Sequence, residues 1–210
     1  MSKLERALRS EGFATLNLDY PARKQPLEGL VEEVHRAAGG FIGRGAGQVH
    51  VVTHSMGGLL ARAYIARHRP GALGRVVMLG PPNGGSEVAD LLAGNPAYRR
   101  FFGPAGAQLT TRADERLRGL LGTVDYPLGI IAGDRSVNLL SSWLVIPRPN
   151  DGRVSVASTA AKGMADHVTL HATHPLMMRN PEVIRQTLQF LRHGRFTARR
   201  PAGAGSGTAG

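Results

Sequence analysis

A chain of 210 residues, 42% hydrophobic and 20% charged, is long enough for one domain with a sizeable core; having no cysteine, it excludes disulfides, thiol nucleophiles and cysteine-ligated metals. No apolar run approaches the ~20 residues needed to span a bilayer, and the amphipathic, charged start from Met1 to Arg9 lacks the apolar stretch of a secretory signal; localisation is left open, cytoplasmic as written, with any signal expected in a segment ahead of the recorded start. The net charge of +11 is almost all arginine, since only Lys3, Lys24 and Lys162 are lysine, and part of it lies late, at Arg192, Arg195, Arg199 and Arg200; with so much Ala and Gly this fits a coding bias better than a phosphate-binding face, and no nucleic-acid partner is expected.

In chain order, residues 2–10 read as a helix, followed by Glu11-Gly12 and a strand from Phe13 to Asp19 that Pro21 closes. Leu27, Leu30, Val31 and Val34 have the spacing of an amphipathic helix laid against a sheet, and Gly39-Gly40 are expected to end it. A β-branched run at 48–53 stops at Thr53-His54-Ser55-Met56-Gly57-Gly58, after which Leu59 to His68 reads as a helix ended by Pro70. A strand at Arg75 to Leu79 leads into the turn-rich Gly80-Pro81-Pro82-Asn83-Gly84-Gly85-Ser86. Between about Glu87 and Asp125 the pattern is helical but broken at Gly94-Asn95-Pro96 and Gly103-Pro104. Its apolar members, Leu91, Leu92, Phe101, Phe102, Leu109, Leu117, Leu120 and Leu121, either cover a site as a cap and hold an acyl chain or are ordinary core side chains.

Tyr126 to Ile131 resumes the sheet, and Leu139 to Ile146 either walls a pocket or is buried under a loop. Strands are expected at 153–157 and 167–170. The last helix is signalled by Asn180 as N-cap, Pro181 at its first position, Glu182 in its first turn and Gly194 past its end. The run 197–210, rich in Gly, Ala and Arg, cannot bury a core and is expected to be disordered. Strands alternating with helices imply an α/β fold: a mostly parallel sheet with helices on both faces, in a single domain over 1–196.

The order strand, sharp turn, helix around Ser55 is what a serine nucleophile requires. Such a turn holds the serine in a strained backbone conformation at its tip, while Gly57 and Gly58 let the helix lie close to the strand. The Met56 backbone N–H then points to where an oxyanion would form. The competing account is a Ser-capped helix after a buried strand, so the decision rests on a base and an acid elsewhere.

Three histidines cluster late, at His167, His171 and His174. His174 lies in a loop between the last strand and the last helix, where a base in the order Ser, Asp, His belongs. His171 is the alternative, and His167 falls within the strand. For the acid, Asp151 in the turn Pro149-Asn150-Asp151-Gly152 competes with Asp134, which follows a strand directly at the carboxyl end of the sheet. No cofactor and no metal is needed, because the histidine spacing has no helical ligand pattern with a supporting carboxylate.

With these residues in place the chain resembles the α/β-hydrolase superfamily, in particular bacterial lipase/esterase-like members, from about Leu4 to Gly194. The resemblance rests on Thr53 to Gly58, on Gly80-Pro81-Pro82-Asn83-Gly84-Gly85-Ser86-Glu87, on Asn150-Asp151-Gly152-Arg153-Val154-Ser155-Val156 and on Thr173-His174-Pro175-Leu176-Met177-Met178-Arg179-Asn180-Pro181-Glu182-Val183-Ile184. It implies a serine hydrolase of carboxylic esters, with Ser55 as nucleophile, Asp151 as acid, His174 as base and an acyl ester or lipid as substrate. Acyl transfer by the same residues is the alternative. In such hydrolases a further strand, ending in a His-Gly loop, precedes the first helix here, pairs with the strand at 48–53 and supplies the second oxyanion donor. Its absence implies an N-terminally truncated relative, or a remnant without a complete oxyanion hole.

Overall fold

The computed structural model describes residues 1–22, 24–44, 47–85, 115–136 and 146–197. Four strands, β1 (Val49–His54), β2 (Leu73–Leu79), β3 (Leu128–Gly133) and β4 (Asp166–Leu170), form one parallel sheet in the order β1-β2-β3-β4. Parallel neighbours need a crossover, and helix α3 (Gly57–His68) supplies the one from β1 to β2. The other helices are α1 (Ser2–Ser10), α2 (Leu27–Arg44), α4 (Glu115–Leu121), α5 (Val156–Thr159) and α6 (Pro181–His193), with a 3-10 helix at His174–Arg179.

The period-2 alternation of side chains divides the core into two layers. Val76, Met78, Leu128 and Ile130 face α2, α3 and α4; Val77, Leu79, Ile131 and Leu170 face α1, the 3-10 helix and α6. Strands covered on both sides can be apolar at every position, as β3 is: all six of its residues are buried. Full burial of each Leu, Ile or Val stabilises the fold by about 1.5–3 kcal/mol relative to exposure, so β2 and β3 anchor the loops at their carboxyl ends. Leu117 and Leu121 belong to the first layer and are core side chains. Leu91, Leu92, Phe101, Phe102 and Leu109, most of the stretch 139–146, and the tail beyond 197 lie outside the described residues.

Three expectations for local structure are overturned. Residues 13–19 form no strand. Thr15 Oγ1 instead accepts from Arg9 Nε (2.6 Å) and Asn17 Nδ2 donates to Glu5 (3.1 Å), which ties the segment to α1. It runs from Phe13, packed edge-on against His50, to Tyr20, which packs with the layer of α2 and α3. Among the described residues β1 therefore pairs with β2 alone, and all six of its residues are half-buried.

The strand expected at 153–157 is replaced by a turn and the short helix α5. Side-chain oxygens capture the backbone there: Asn150 Oδ1 accepts from Gly152 N (3.0 Å), Asp151 Oδ1 from Arg153 N and Val154 N, and Ser155 Oγ from Ser158 N (3.2 Å). Asp, Asn and Ser compete for backbone donors in just this way. Helix α2 continues through Gly39-Gly40 to Arg44, since an exposed mid-helix glycine costs only about 1 kcal/mol against alanine. The final helix forms as expected, with Asn180 Oδ1 accepting from Glu182 N (2.9 Å) and Val183 N (3.3 Å), and Gly194 left-handed at φ +72°.

Candidate active site

The end of β1 delivers Ser55 to the carboxyl edge of the sheet, where its N–H donates to Leu79 O (2.8 Å). Ser55 is the one non-glycine residue with positive φ (+55°) among those described, a conformation an L-residue adopts at a cost of about 1–2 kcal/mol. The turn closes tightly because the next positions are glycines. A Cβ on Gly58 would stand 2.8 Å from the Cβ of Pro81, so a side chain there would push α3 away from the loop after β2.

His174 opens the 3-10 helix after β4 and is 1% exposed. Asp151, 0% exposed, lies in the turn after Pro149. One carboxylate oxygen, Oδ1, is occupied by the N–H groups of Arg153 (3.0 Å) and Val154 (2.9 Å). The other, Oδ2, is 2.6 Å from His174 Nδ1. An ionised carboxylate only accepts, so Nδ1 carries the proton and Nε2 is left as acceptor. Nε2 is 2.8 Å from Ser55 Oγ. Ser55, His174 and Asp151, remote in sequence, thus form one unbroken hydrogen-bonded chain.

The other sequence candidates do not reach Ser55. His171 Nδ1 and Asp134 Oδ1 bond each other at 2.9 Å, with His171 largely exposed. His167 Nε2 instead meets Thr159 Oγ1 at 2.8 Å. Among the described residues no group of three or more metal-ligating side chains is placed to hold an ion, and no helix is long and apolar enough to cross a membrane.

No protein-family profile matches the sequence, and no curated protein does. Solved structures do. The mature form of lipase BlEst2 from Bacillus licheniformis superposes with a TM-score of 0.68 at 17% identity, over 90% of this chain and 83% of that one. Phospholipase PlaB from Legionella pneumophila gives 0.64 at 16%, over 92% of this chain and 55% of that one. A metagenomic carboxyl esterase gives 0.65 at 15%, over 82% and 57%. The chain thus spans most of the lipase but little more than half of the other two. It has the α/β-hydrolase fold.

In this α/β-hydrolase fold two further residues shape the site that sequence reasoning did not single out. Gly80 ends β2 at φ +54°, and its N–H donates to Ile131 O (2.9 Å). A Cβ on it would lie 2.9 Å from Asp151 Oδ2 and 3.1 Å from His174 Nδ1, so the pair occupies the space that glycine leaves. A glycine directly after an apolar strand was the available signal. His54, the residue before Ser55, bonds His174 O through Nε2 (2.9 Å), and burial with the neighbouring His174 charge pushes it down to about 4. No signal in the sequence distinguished it from an ordinary strand-end histidine. The Met56 N–H, at the N-cap of α3, meets no acceptor among the described residues.

Proposed function

We propose that the protein is a serine hydrolase of the lipase/esterase type, cleaving carboxylic esters of small-molecule or lipid substrates through an acyl-enzyme. The observation that carries this reading is the chain Ser55 Oγ to His174 Nε2 (2.8 Å) and His174 Nδ1 to Asp151 Oδ2 (2.6 Å), behind a serine held at φ +55°. Ser55 Oγ attacks the ester carbonyl while His174 Nε2 takes its proton; the proton then goes to the departing alkoxide, leaving an acyl-Ser55 ester and free alcohol. Water repeats the sequence, with His174 again as base, and releases the carboxylic acid. Asp151 keeps the proton on Nδ1 and balances the imidazolium. The oxyanion that forms at the carbonyl is met by the Met56 N–H, which bonds no acceptor among the described residues and stands at the positive end of α3.

Support also comes from the company the fold keeps, since a lipase, a phospholipase and a carboxyl esterase are among the structures it resembles. A fluorophosphonate probe tests the proposal. The folded wild type is expected to be labelled on Ser55 and to hydrolyse p-nitrophenyl esters, and Ser55→Ala to do neither. A folded wild type that resists the probe overturns it.

A further inference from the structure

We infer that His54 is a positioning residue: by donating its Nε2–H to the carbonyl of His174 it sets where the base stands relative to Ser55. The inference rests on the hydrolase reading above and adds a residue to its machinery. Two bonds fix the imidazole of His174, to Ser55 and to Asp151, but these say nothing about what holds the backbone that carries it. That backbone is gripped on both sides. The His174 N–H donates to Asp151 O (3.0 Å), and the His174 carbonyl faces His54 Nε2 at 2.9 Å.

The second grip ties two remote parts of the chain. His54 is the last residue of β1 and is covalently next to Ser55, so a single peptide unit separates the nucleophile from the donor that holds its base. Movement of the 3-10 helix away from β1 must break this bond before it lengthens the Ser55–His174 distance. The rings pack as well, with centroids 4.7 Å apart and planes tilted by 45°, so His54 also backs one side of the His174 imidazole.

The chemistry of the pair selects one state of His54. A carbonyl only accepts, so Nε2 must carry the proton. The ring must also stay neutral while His174 becomes a cation during catalysis, because two adjacent imidazolium ions repel. Among the described residues the groups that face His54 are His174, Asp151 and Arg153, and burial with the His174 charge outweighs the carboxylate, holding His54 neutral at neutral pH. A lysine or a protonated histidine would give a donor at the cost of that neutrality.

Three measurements on the full chain test this. In His54→Phe, which keeps the ring and removes the donor, kcat and the rate of fluorophosphonate labelling should fall about 10–100-fold with KM little changed, the size expected when a reacting group is displaced by about an ångström. In His54→Gln, whose amide nitrogen reaches about as far as Nε2, the rate should return to within about threefold of wild type. In the wild type, nitrogen-15 NMR should show His54 as the neutral Nε2–H tautomer from about pH 5 upward, and the His174 Nδ1 proton should exchange faster in His54→Phe. The inference is overturned if folded His54→Phe reacts at the wild-type rate, if folded His54→Gln is as slow as the Phe variant, or if His54 is the Nδ1–H tautomer. A wild type that does not react removes the hydrolase reading instead, and the tautomer and Nδ1 exchange still decide whether His54 holds His174. The tautomer needs no variant, so a Phe variant that fails to fold leaves that measurement intact.

Discussion

Ser55 sits in a conformation that β-carbon sterics oppose, and the opposition is measurable. At φ +55° the cost to an L-residue is about 1–2 kcal/mol, and glycine does not incur it. Ser55→Gly should therefore melt higher than Ser55→Ala, by on the order of 1 kcal/mol in urea titration, although neither reacts with the probe. Asp151 makes the complementary case. It is 0% exposed, and its two oxygens accept from Arg153 N, Val154 N and His174 Nδ1. Asp151→Asn cannot accept at every one of these contacts without turning a donor towards one of them. It should leave Ser55 in place but invert the His174 tautomer, lowering the labelling rate by about 10⁴-fold. Asp134→Asn, whose carboxylate bonds the exposed His171, is the matched control and should leave that rate within about twofold of wild type.

The loops that end the strands govern the site at the scale of elements. Gly80 closes β2 in the space beside the acid and base, so Gly80→Ala combines a left-handed residue with a Cβ 2.9 Å from Asp151 Oδ2. That variant should lose ester hydrolysis by about 10²-fold or more, while its circular dichroism spectrum stays that of the folded protein. At the other end of the 3-10 helix, Asn180 caps α6 by accepting from Glu182 N and Val183 N. Asn180→Ala should lower stability by about 0.5–2 kcal/mol in urea titration. The helices that were legible in the sequence, α1, α3 and α6, are those whose apolar spacing, caps and breakers act within a few residues. The misread segments depend on distant or competing partners. Residues 13–19 alternate as a strand does, but a strand needs a neighbour, and side-chain bonds to Glu5 and Arg9 hold them elsewhere. At 150–158 the carboxamide, carboxylate and hydroxyl oxygens took the backbone donors that a strand would have used.

Acid should weaken the whole molecule before its carboxylates titrate. Burial lowers His54 to about 4 and moves His50 and His167 in the same direction. In the unfolded chain these histidines bind protons near pH 6.5. Between that pH and about 4 the unfolded state therefore holds more protons, and stability falls as pH is lowered through the window; above it the contribution is complete. His54 alone contributes on the order of 3 kcal/mol across the window. Urea midpoints measured from about pH 7.5 down to about pH 4.5 should fall steadily, and His54→Gln should flatten the slope.

The sequence by itself determined the α/β alternation, the apolar runs that became β2 and β3, and the strand–turn–helix around Ser55, because each is written in the spacing of neighbouring residues. It also singled out Asp151 and His174, by chain order and loop position, without excluding Asp134 and His171. Only the tertiary structure separates the two pairs in space. It pairs Asp134 with His171 away from Ser55 and brings His174 Nε2 to 2.8 Å from its hydroxyl. His54 and Gly80 stand in motifs the sequence displayed, but only the tertiary structure shows the contacts they make with His174 and beside Asp151, which the chain carries against them from far away. A spacing rule reads contacts along the chain; a site assembled at the carboxyl ends of a parallel sheet is built from contacts across it.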